Sequence, residues 1–210
     1  MRLIFLHGLG QGADSWQEVC RLLSDDHEVI CPNLFEKGHL PRHLDDWQEK
    51  LNQLLDESDD TVVIGLSLGA VLALSLLKRP HPHLKGIVAC AGQYRFARNS
   101  AFKLQVALFR MLPQRFLKQH GLDKANVLAF NKGIADLDLT DVLRKTTLPC
   151  QLVCGDRDRF NRKASQDLLR LMPNSRLEIL KQTGHESNKE NPKDLSSVIK
   201  IFLESIAHEK

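Results

Sequence analysis

The sequence predicts a doubly wound α/β fold built on a mostly parallel sheet of about six strands. Six short apolar runs recur along the 210-residue chain, and most are continuous rather than alternating. Continuous apolar runs are typical of strands that are buried on both faces of a parallel sheet. The predicted strands are Leu3–Leu6, Glu28–Cys31, Thr61–Ile64, Leu84–Cys90, Cys150–Cys154 and Arg176–Leu180.

Longer segments with helical spacing lie between these runs, and this alternation implies right-handed crossovers on both faces of the sheet. The segment 67–78 is apolar almost all round, which indicates a helix buried against the sheet. The predicted helices are Ser15–Leu23, Pro41–Leu55, Ser67–Lys78, Asn161–Met172 and Lys193–His208.

The bulk composition limits the class of protein. With 42% hydrophobic and 26% charged residues, the chain resembles an ordinary globular domain, and we predict a single domain over residues 1–210. The formal charge of +3 says little about nucleic acid by itself, because no strongly basic stripe runs through the domain, and we predict no nucleic-acid partner. The apolar run before His7 is too short for a signal peptide or a membrane span, and five cysteines at irregular spacing do not suggest a disulfide framework. We therefore expect a cytoplasmic protein without stable membrane insertion.

One region departs from the alternation of strands and helices. From Gln93 to Thr140 the sequence predicts helical segments and no strand. Because this length is unusual for a plain connection, we predict a helical lid at residues 93–140, inserted within the single domain.

The strongest chemical signal is Gly65-Leu66-Ser67-Leu68-Gly69, which lies between a β-branched strand and an apolar helix. The glycines permit a tight strand-to-helix turn that exposes the serine hydroxyl as a nucleophile. His7-Gly8-Leu9-Gly10 closes the first strand at the same edge of the sheet. The backbone amides of Leu9 and Leu68 are therefore candidates for an oxyanion hole.

A nucleophilic serine needs a general base and a group that orients it. One strand stops at Gly155-Asp156-Arg157-Asp158, and the next is followed by Gly184-His185. His185 differs from the histidines of turns and tail because it follows a strand end with a glycine beside it. The order serine, acid, histidine is the one expected for this architecture, with either aspartate as the acid.

In this order, and over nearly the whole chain, these motifs resemble the α/β-hydrolase superfamily. The resemblance implies Ser67 as nucleophile, His185 as base and Asp158 as acid, because the family usually places the acid third after the glycine; Asp156 is the alternative. It also implies a reduced N-terminus, since the antiparallel strands that commonly precede His7-Gly8 are missing, and the sheet edge thus exposed would favour a homodimer. The motif order and small size are most similar to the small esterase, lysophospholipase and MenH-like branch.

The first part of the predicted lid suggests a type of substrate. Between Gln93 and His120 there are six basic residues and no acidic ones, interleaved with aromatic and aliphatic side chains. Such a lid could steer an anionic substrate and bury its acyl part, with Arg95, Phe102 and Phe109 as candidate contacts. Alternatively, the apolar side packs over the sheet and the charges are solvated. A membrane-surface helix is a third interpretation, which Pro113 disfavours.

We therefore expect a serine hydrolase that cleaves a small-molecule ester or thioester through an acyl-enzyme on Ser67. A MenH-like lyase or carbon–carbon bond hydrolase with the same triad is the second interpretation, and a non-catalytic ligand-binding protein is the third. No cofactor and no metal are predicted, since the sequence lacks zinc-site, Walker and dinucleotide motifs. Near His185, the three acidic residues Glu178, Glu186 and Glu190 are interpreted as ordinary surface charges.

Overall fold

The sheet has six strands, all parallel, in the order β2-β1-β3-β4-β5-β6. The computed structural model describes residues 1–34, 44–56, 60–79, 81–97, 111–115 and 123–207. Each predicted run is a strand, with ends that differ by at most two residues from the prediction. The strands are β1 Arg2–Leu6, β2 Glu28–Ile30, β3 Thr61–Leu66, β4 Leu84–Cys90, β5 Cys150–Gly155 and β6 Ser175–Leu180.

Helices follow most of the strands, and the five predicted helical segments are present in the described residues with shifted ends. The helices are α1 Gln17–Arg21, α2 Leu44–Asp56, α3 Leu68–Ser75, α4 Lys124–Ile134, α5 Thr140–Lys145, α6 Arg159–Leu171, α7 Ser187–Glu190 and α8 Pro192–Ala207. Short 3-10 turns precede α1 at Ala13–Trp16 and follow α3 at Leu76–Lys78. Ser67 is the residue before α3 rather than its first residue.

The sheet separates two apolar cores, because successive side chains of a strand point to opposite faces. In β1, Ile4 and Leu6 pack with α2 and α3 on one face. Leu3 and Phe5 pack with α1 and α8 on the other. The doubly wound α/β fold expected from the sequence is therefore confirmed.

Burial differs between the central and the edge strands. Every residue of β3 and β5 is buried, as the continuous apolar runs predict. In contrast, β2 is exposed or partly exposed along its length, and β6 alternates between partly buried and exposed positions up to Leu180. The prediction of strands buried on both faces is thus wrong for these two, since each has a neighbour on one side alone.

The strand order creates a crevice at one point of the sheet. The chain runs outward from β1 to β2 in one direction, and from β3 to β6 in the other. In open α/β sheets, ligands bind at the carboxyl ends of the strands where the order reverses. Here those ends are the loop after Leu6 and the turn after Leu66.

The described part of the predicted lid contains α4, the start of α5 and an antiparallel bridge between Arg95 and Asp138. The apolar face of α4 joins the core through Val127, Phe130 and Ile134. Residues 98–110 and 116–122 lie outside the described residues, so the lid stays a prediction. Among the helices that are described, none has the length and apolarity to cross a membrane.

Candidate active site

Ser67 occupies a sharp turn between β3 and α3, with φ 54° and ψ −110°. A non-glycine residue at positive φ is strained, and such strain is common at functional sites. Both flanking glycines are required by close packing. A Cβ on Gly69 would collide with the Leu6 carbonyl, and a Cβ on Gly65 would collide with the backbone of Gly69. The tightly packed turn therefore presents the Ser67 side chain at the sheet edge.

The loop after β1 lies directly beside this serine. A Cβ built on Gly8 would be 3.6 Å from the Cβ of Ser67. The Gly8 N–H donates to Oε1 of Gln11 at 3.1 Å, so this amide already has an acceptor. Leu68 is the first residue of α3, and the first four N–H groups of a helix have no acceptor within the helix. The amides of Leu9 and Leu68 stay candidates for the predicted oxyanion hole.

His7 fixes the start of this loop. Its ring is fully buried; Nε2 accepts a hydrogen bond from the Leu34 N–H at 2.9 Å, and Nδ1 lies 3.0 Å from the Gly8 carbonyl oxygen. Because Nε2 is an acceptor, Nδ1 carries the proton and donates to Gly8. Burial lowers the pKa of His7, against the smaller effect of the Gly8 hydrogen bond. His7 is therefore a neutral structural histidine.

Asp158 and His185 form a hydrogen-bonded pair, with 2.8 Å between Oδ2 and Nδ1. The Asp158 side chain is 3% exposed and that of His185 is 44% exposed. The alternative acid, Asp156, accepts a hydrogen bond from the Thr183 N–H at 3.1 Å. The structure thus brings His185 together with Asp158, while Asp156 supports the backbone of the loop before the histidine.

The pair shifts the pKa of each partner. The hydrogen bond that His185 donates to Asp158 raises the pKa of His185, although burial acts in the opposite direction. For Asp158, burial opposes ionisation, but hydrogen bonds from His185 and Asn161 outweigh it and hold the pKa of this carboxyl below its usual value. Asp158 is consequently a carboxylate that favours a protonated imidazole beside it.

Asn161 is a polar member of this cluster that the sequence interpretation missed. Its Nδ2 lies 3.0 and 2.8 Å from the two carboxylate oxygens of Asp158, and 3.1 Å from Nδ1 of His185. Its backbone N–H also donates to the Asp158 side chain. This bond is expected when an aspartate caps a helix and accepts from the backbone N–H three residues later. Gln93, just after β4, donates to Oδ1 of Asn161 at 2.7 Å. The Asp-x-x-Asn spacing at the start of α6 was the available sequence signal.

A second polar network connects the loop after β1 with the histidine loop. Gln11 donates to Oε1 of Glu186 at 3.0 Å, and buried Asn188 donates to the Ser15 carbonyl at 3.0 Å. Glu190 accepts hydrogen bonds from the Gly184 and Glu186 N–H groups at 2.7 and 3.0 Å. The interpretation of Glu186 and Glu190 as ordinary surface charges is therefore wrong, because both hold the loop that carries His185.

The predicted substrate contacts are only partly described. Arg95 is exposed, and its guanidinium carbon lies 5.7 Å from the centre of the Tyr94 ring. Phe102 and Phe109 lie outside the described residues. Within the described ranges, no group of three or more His, Cys, Asp or Glu side chains could hold a metal ion.

The chain is similar to known hydrolases in sequence, and to solved hydrolase structures in fold. The uncharacterized hydrolase YugF of Bacillus subtilis is 25% identical over 244 aligned positions, which cover 96% of this chain and 89% of that protein. A pimeloyl-(acyl-carrier protein) methyl ester esterase of Aliivibrio fischeri is 22% identical over 238 positions, covering 96% and 93%. Among solved structures, MenH from S. aureus superposes with a TM-score of 0.78 at 16% identity, covering 99% of this chain and 94% of that one.

The family assignment rests on a match over most of the chain. The sequence model of the alpha/beta hydrolase family matches residues 3–198, from the first strand to the C-terminal helix. The chain belongs to the alpha/beta hydrolase family.

Proposed function

We propose that the protein is a serine hydrolase that cleaves a carboxylic ester or thioester through an acyl-enzyme on Ser67. The observation that carries this proposal is the 2.8 Å hydrogen bond between Asp158 and His185. It forms at the same edge of the sheet as a serine held at positive φ before a helix N-terminus. A nucleophile, a base and an acid on one edge are the elements that acyl transfer requires.

Contacts also connect the two halves of the proposed site. Gly8 packs beside Ser67, and its N–H is bound by Gln11, which in turn donates to the side chain of Glu186. Glu186 directly follows His185 in the sequence. This connection supports a shared site in which the positions of nucleophile and base depend on each other.

The chemistry follows from these roles. Nε2 of His185 takes the proton of the Ser67 hydroxyl as Oγ attacks the substrate carbonyl, while Asp158 accepts the Nδ1–H and stabilises the imidazolium. The Leu9 and Leu68 amides donate to the oxyanion of the tetrahedral intermediate. The imidazolium then gives its proton to the leaving alcohol or thiol. Water, activated by the same histidine, releases the acid and frees Ser67.

The proposed substrate is a small ester or thioester, with an anionic group as a second feature. The esterase name of the Aliivibrio fischeri relative supports ester cleavage. Exposed Arg95, at the start of the predicted lid, supports attraction of negative charge. No nucleic-acid partner is proposed.

Hydrolysis of a p-nitrophenyl ester series of increasing acyl length tests the proposal. We expect turnover by the wild type and a loss of roughly 10³-fold or more in Ser67→Ala. Ser197→Ala, at an exposed serine on α8, is the matched control and should retain full activity. A fluorophosphonate should also label the wild type on Ser67, as seen by peptide mass spectrometry.

Failure to hydrolyse the ester series would contradict the proposed esterase activity. If neither the wild type nor the control hydrolyses any ester of the series, the acyl-transfer proposal is wrong. A fluorophosphonate adduct on Ser67 in that case would favour lyase or carbon–carbon bond chemistry with the same residues. Absence of both turnover and labelling would favour a ligand-binding protein.

A further inference from the structure

Two of the five cysteines, Cys20 and Cys31, are in direct contact with each other. Neither lies on the elements that flank Ser67. The Sγ atoms of Cys20 and Cys31 are 3.2 Å apart, and both side chains are only partly buried. Cys20 lies on α1, and Cys31 directly follows β2 at the edge of the sheet. Neither residue has a role in the proposed hydrolysis.

We propose that Cys20 and Cys31 form a reversible oxidation site, at which a peroxide converts the two thiols into an intramolecular disulfide. A disulfide has a sulfur–sulfur distance of about 2 Å, so the two atoms need to approach each other by only about 1 Å. The half-exposed setting gives a small oxidant access to the pair. The proposal concerns a modification that is independent of the hydrolase chemistry.

The two thiols are unequal, and this asymmetry supports a defined order of events. The hydrogen bond with Cys20 lowers the pKa of the Cys31 thiol, against the effect of burial. The same hydrogen bond, together with burial, raises the pKa of Cys20. Since the thiolate is the reactive form, Cys31 attacks the oxidant and Cys20 is the resolving thiol.

The remaining cysteines are poor competitors for the oxidant. Cys90, Cys150 and Cys154 are buried in the cores. Burial raises the pKa of Cys90 and Cys150 to about 12, and that of Cys154 to about 11. Structural thiols in apolar surroundings are inert, so oxidation should be confined to the Cys20–Cys31 pair.

The reaction balances with hydrogen peroxide as the two-electron oxidant. The Cys31 thiolate attacks one peroxide oxygen, the O–O bond breaks, and Cys31 becomes a sulfenic acid while hydroxide leaves. The Cys20 sulfur then attacks Sγ of Cys31, forming the S–S bond and expelling a second hydroxide. The two thiol protons convert both hydroxides to water. In sum, two thiols and one peroxide give one disulfide and two waters.

The disulfide would fasten the edge of the sheet. It would join α1 to the end of β2, a three-residue edge strand that is exposed or partly exposed along its length. Cys31 also lies three residues before Leu34, and the Leu34 N–H donates a hydrogen bond to the buried ring of His7. Because a cross-link restricts the unfolded chain, the oxidised protein should have a Tm higher by about 5–10 °C than the reduced protein.

Oxidation of the reduced wild-type protein with hydrogen peroxide, followed by alkylation and mass spectrometry without reductant, tests the proposal. Trypsin cleaves after Arg21, so Cys20 and Cys31 fall in separate peptides, 3–21 and 22–37. We expect the intact mass to fall by two hydrogens, these two peptides to be cross-linked, and dithiothreitol to reverse both changes. In Cys20→Ser no disulfide should form, and dimedone should trap the sulfenic acid on Cys31.

The decisive measurements are made on the wild type, so a poorly folded variant cannot obscure the result. If peptides 3–21 and 22–37 stay unlinked at peroxide concentrations that oxidise neighbouring thiols to disulfides in other proteins, the proposal is wrong. A disulfide between two protein molecules, or oxidation of Cys31 to a sulfinic acid in the presence of Cys20, would also overturn it.

Discussion

Oδ2 of Asp158 accepts a hydrogen bond from Nδ1 of His185 at 2.8 Å, although the two residues are 27 positions apart in sequence. The contact forms because β5 and β6 are parallel neighbours, so that the loops after both strands meet at one edge of the sheet. The approach is close: a Cβ on Gly155 would collide with the Thr183 carbonyl. Adjacent strands and a glycine at the strand end thus position the acid against the base.

Replacement of this acid should slow catalysis without preventing folding. In Asp158→Asn the amide leaves the imidazole without a carboxylate to stabilise its charged form, and kcat for ester hydrolysis should fall by roughly 10³–10⁴-fold. Asp156→Asn is the matched control, since Asp156 accepts a hydrogen bond from Thr183 instead. Steady-state kinetics of both variants decide between the two acids. A larger loss in Asp156→Asn would reverse the assignment.

The pH dependence of kcat/KM should report the raised pKa of His185. A general base works only when it is neutral, so activity should increase with pH through an apparent pKa above the usual value of 6.5. Asp158→Asn removes the hydrogen bond that raises this pKa, and the residual activity should therefore rise at lower pH than in the wild type. A pH–rate profile of both proteins checks the shift. An unchanged midpoint in the variant would mean that another group controls the profile.

The sequence predicted most of the fold because each strand is a short apolar run bounded by polar residues. Runs such as Thr61–Ile64 and Leu84–Cys90 carry their pattern locally, and the order of elements then leaves few topologies. The edge strands were predicted as equally buried, since apolarity does not show which strands lack a neighbour.

The candidate site was predicted unevenly for a physical reason. Ser67, Asp158 and His185 follow strand ends and sit in glycine motifs, which are local in sequence. Gln11 and Glu186 meet across 175 positions, and no local pattern marks such a pair. The polar groups that support the candidate site were therefore missed, whereas each residue of the predicted triad carries a local signal.

Buried His7 should make the protein less stable in acid. Its pKa in the folded protein is lowered from 6.5, so the folded state binds fewer protons than the unfolded chain. The stability that depends on neutral His7 is present above about pH 6.5 and is lost as the pH falls through the lowered pKa, by at most about 1.4 kcal/mol per pH unit.

His7→Gln isolates this contribution, because glutamine does not titrate and its carbonyl can accept from the Leu34 N–H. Urea unfolding at pH 7.5 and pH 5 should show a smaller loss of stability in the variant than in the wild type. His185 has a raised pKa and acts in the opposite direction, but it is the same in both proteins. Equal losses in wild type and variant would exclude His7 as the source.

Asn161 should act as a positioning residue for the acid and the base. Its side chain donates to both carboxylate oxygens of Asp158. Gln93 donates to Oδ1 of Asn161 and thereby fixes the orientation of the Asn161 amide. In Asn161→Ala the carboxylate loses these donors and can turn away from the imidazole, so kcat should fall by about 10-fold or more with little change in KM.

Asn174→Ala, at an asparagine that binds the Thr147 carbonyl, is the matched control and should leave both constants unchanged. Because the backbone N–H of residue 161 still caps onto Asp158, Tm should change little. A fall in Tm with kcat preserved would instead assign Asn161 a purely structural role.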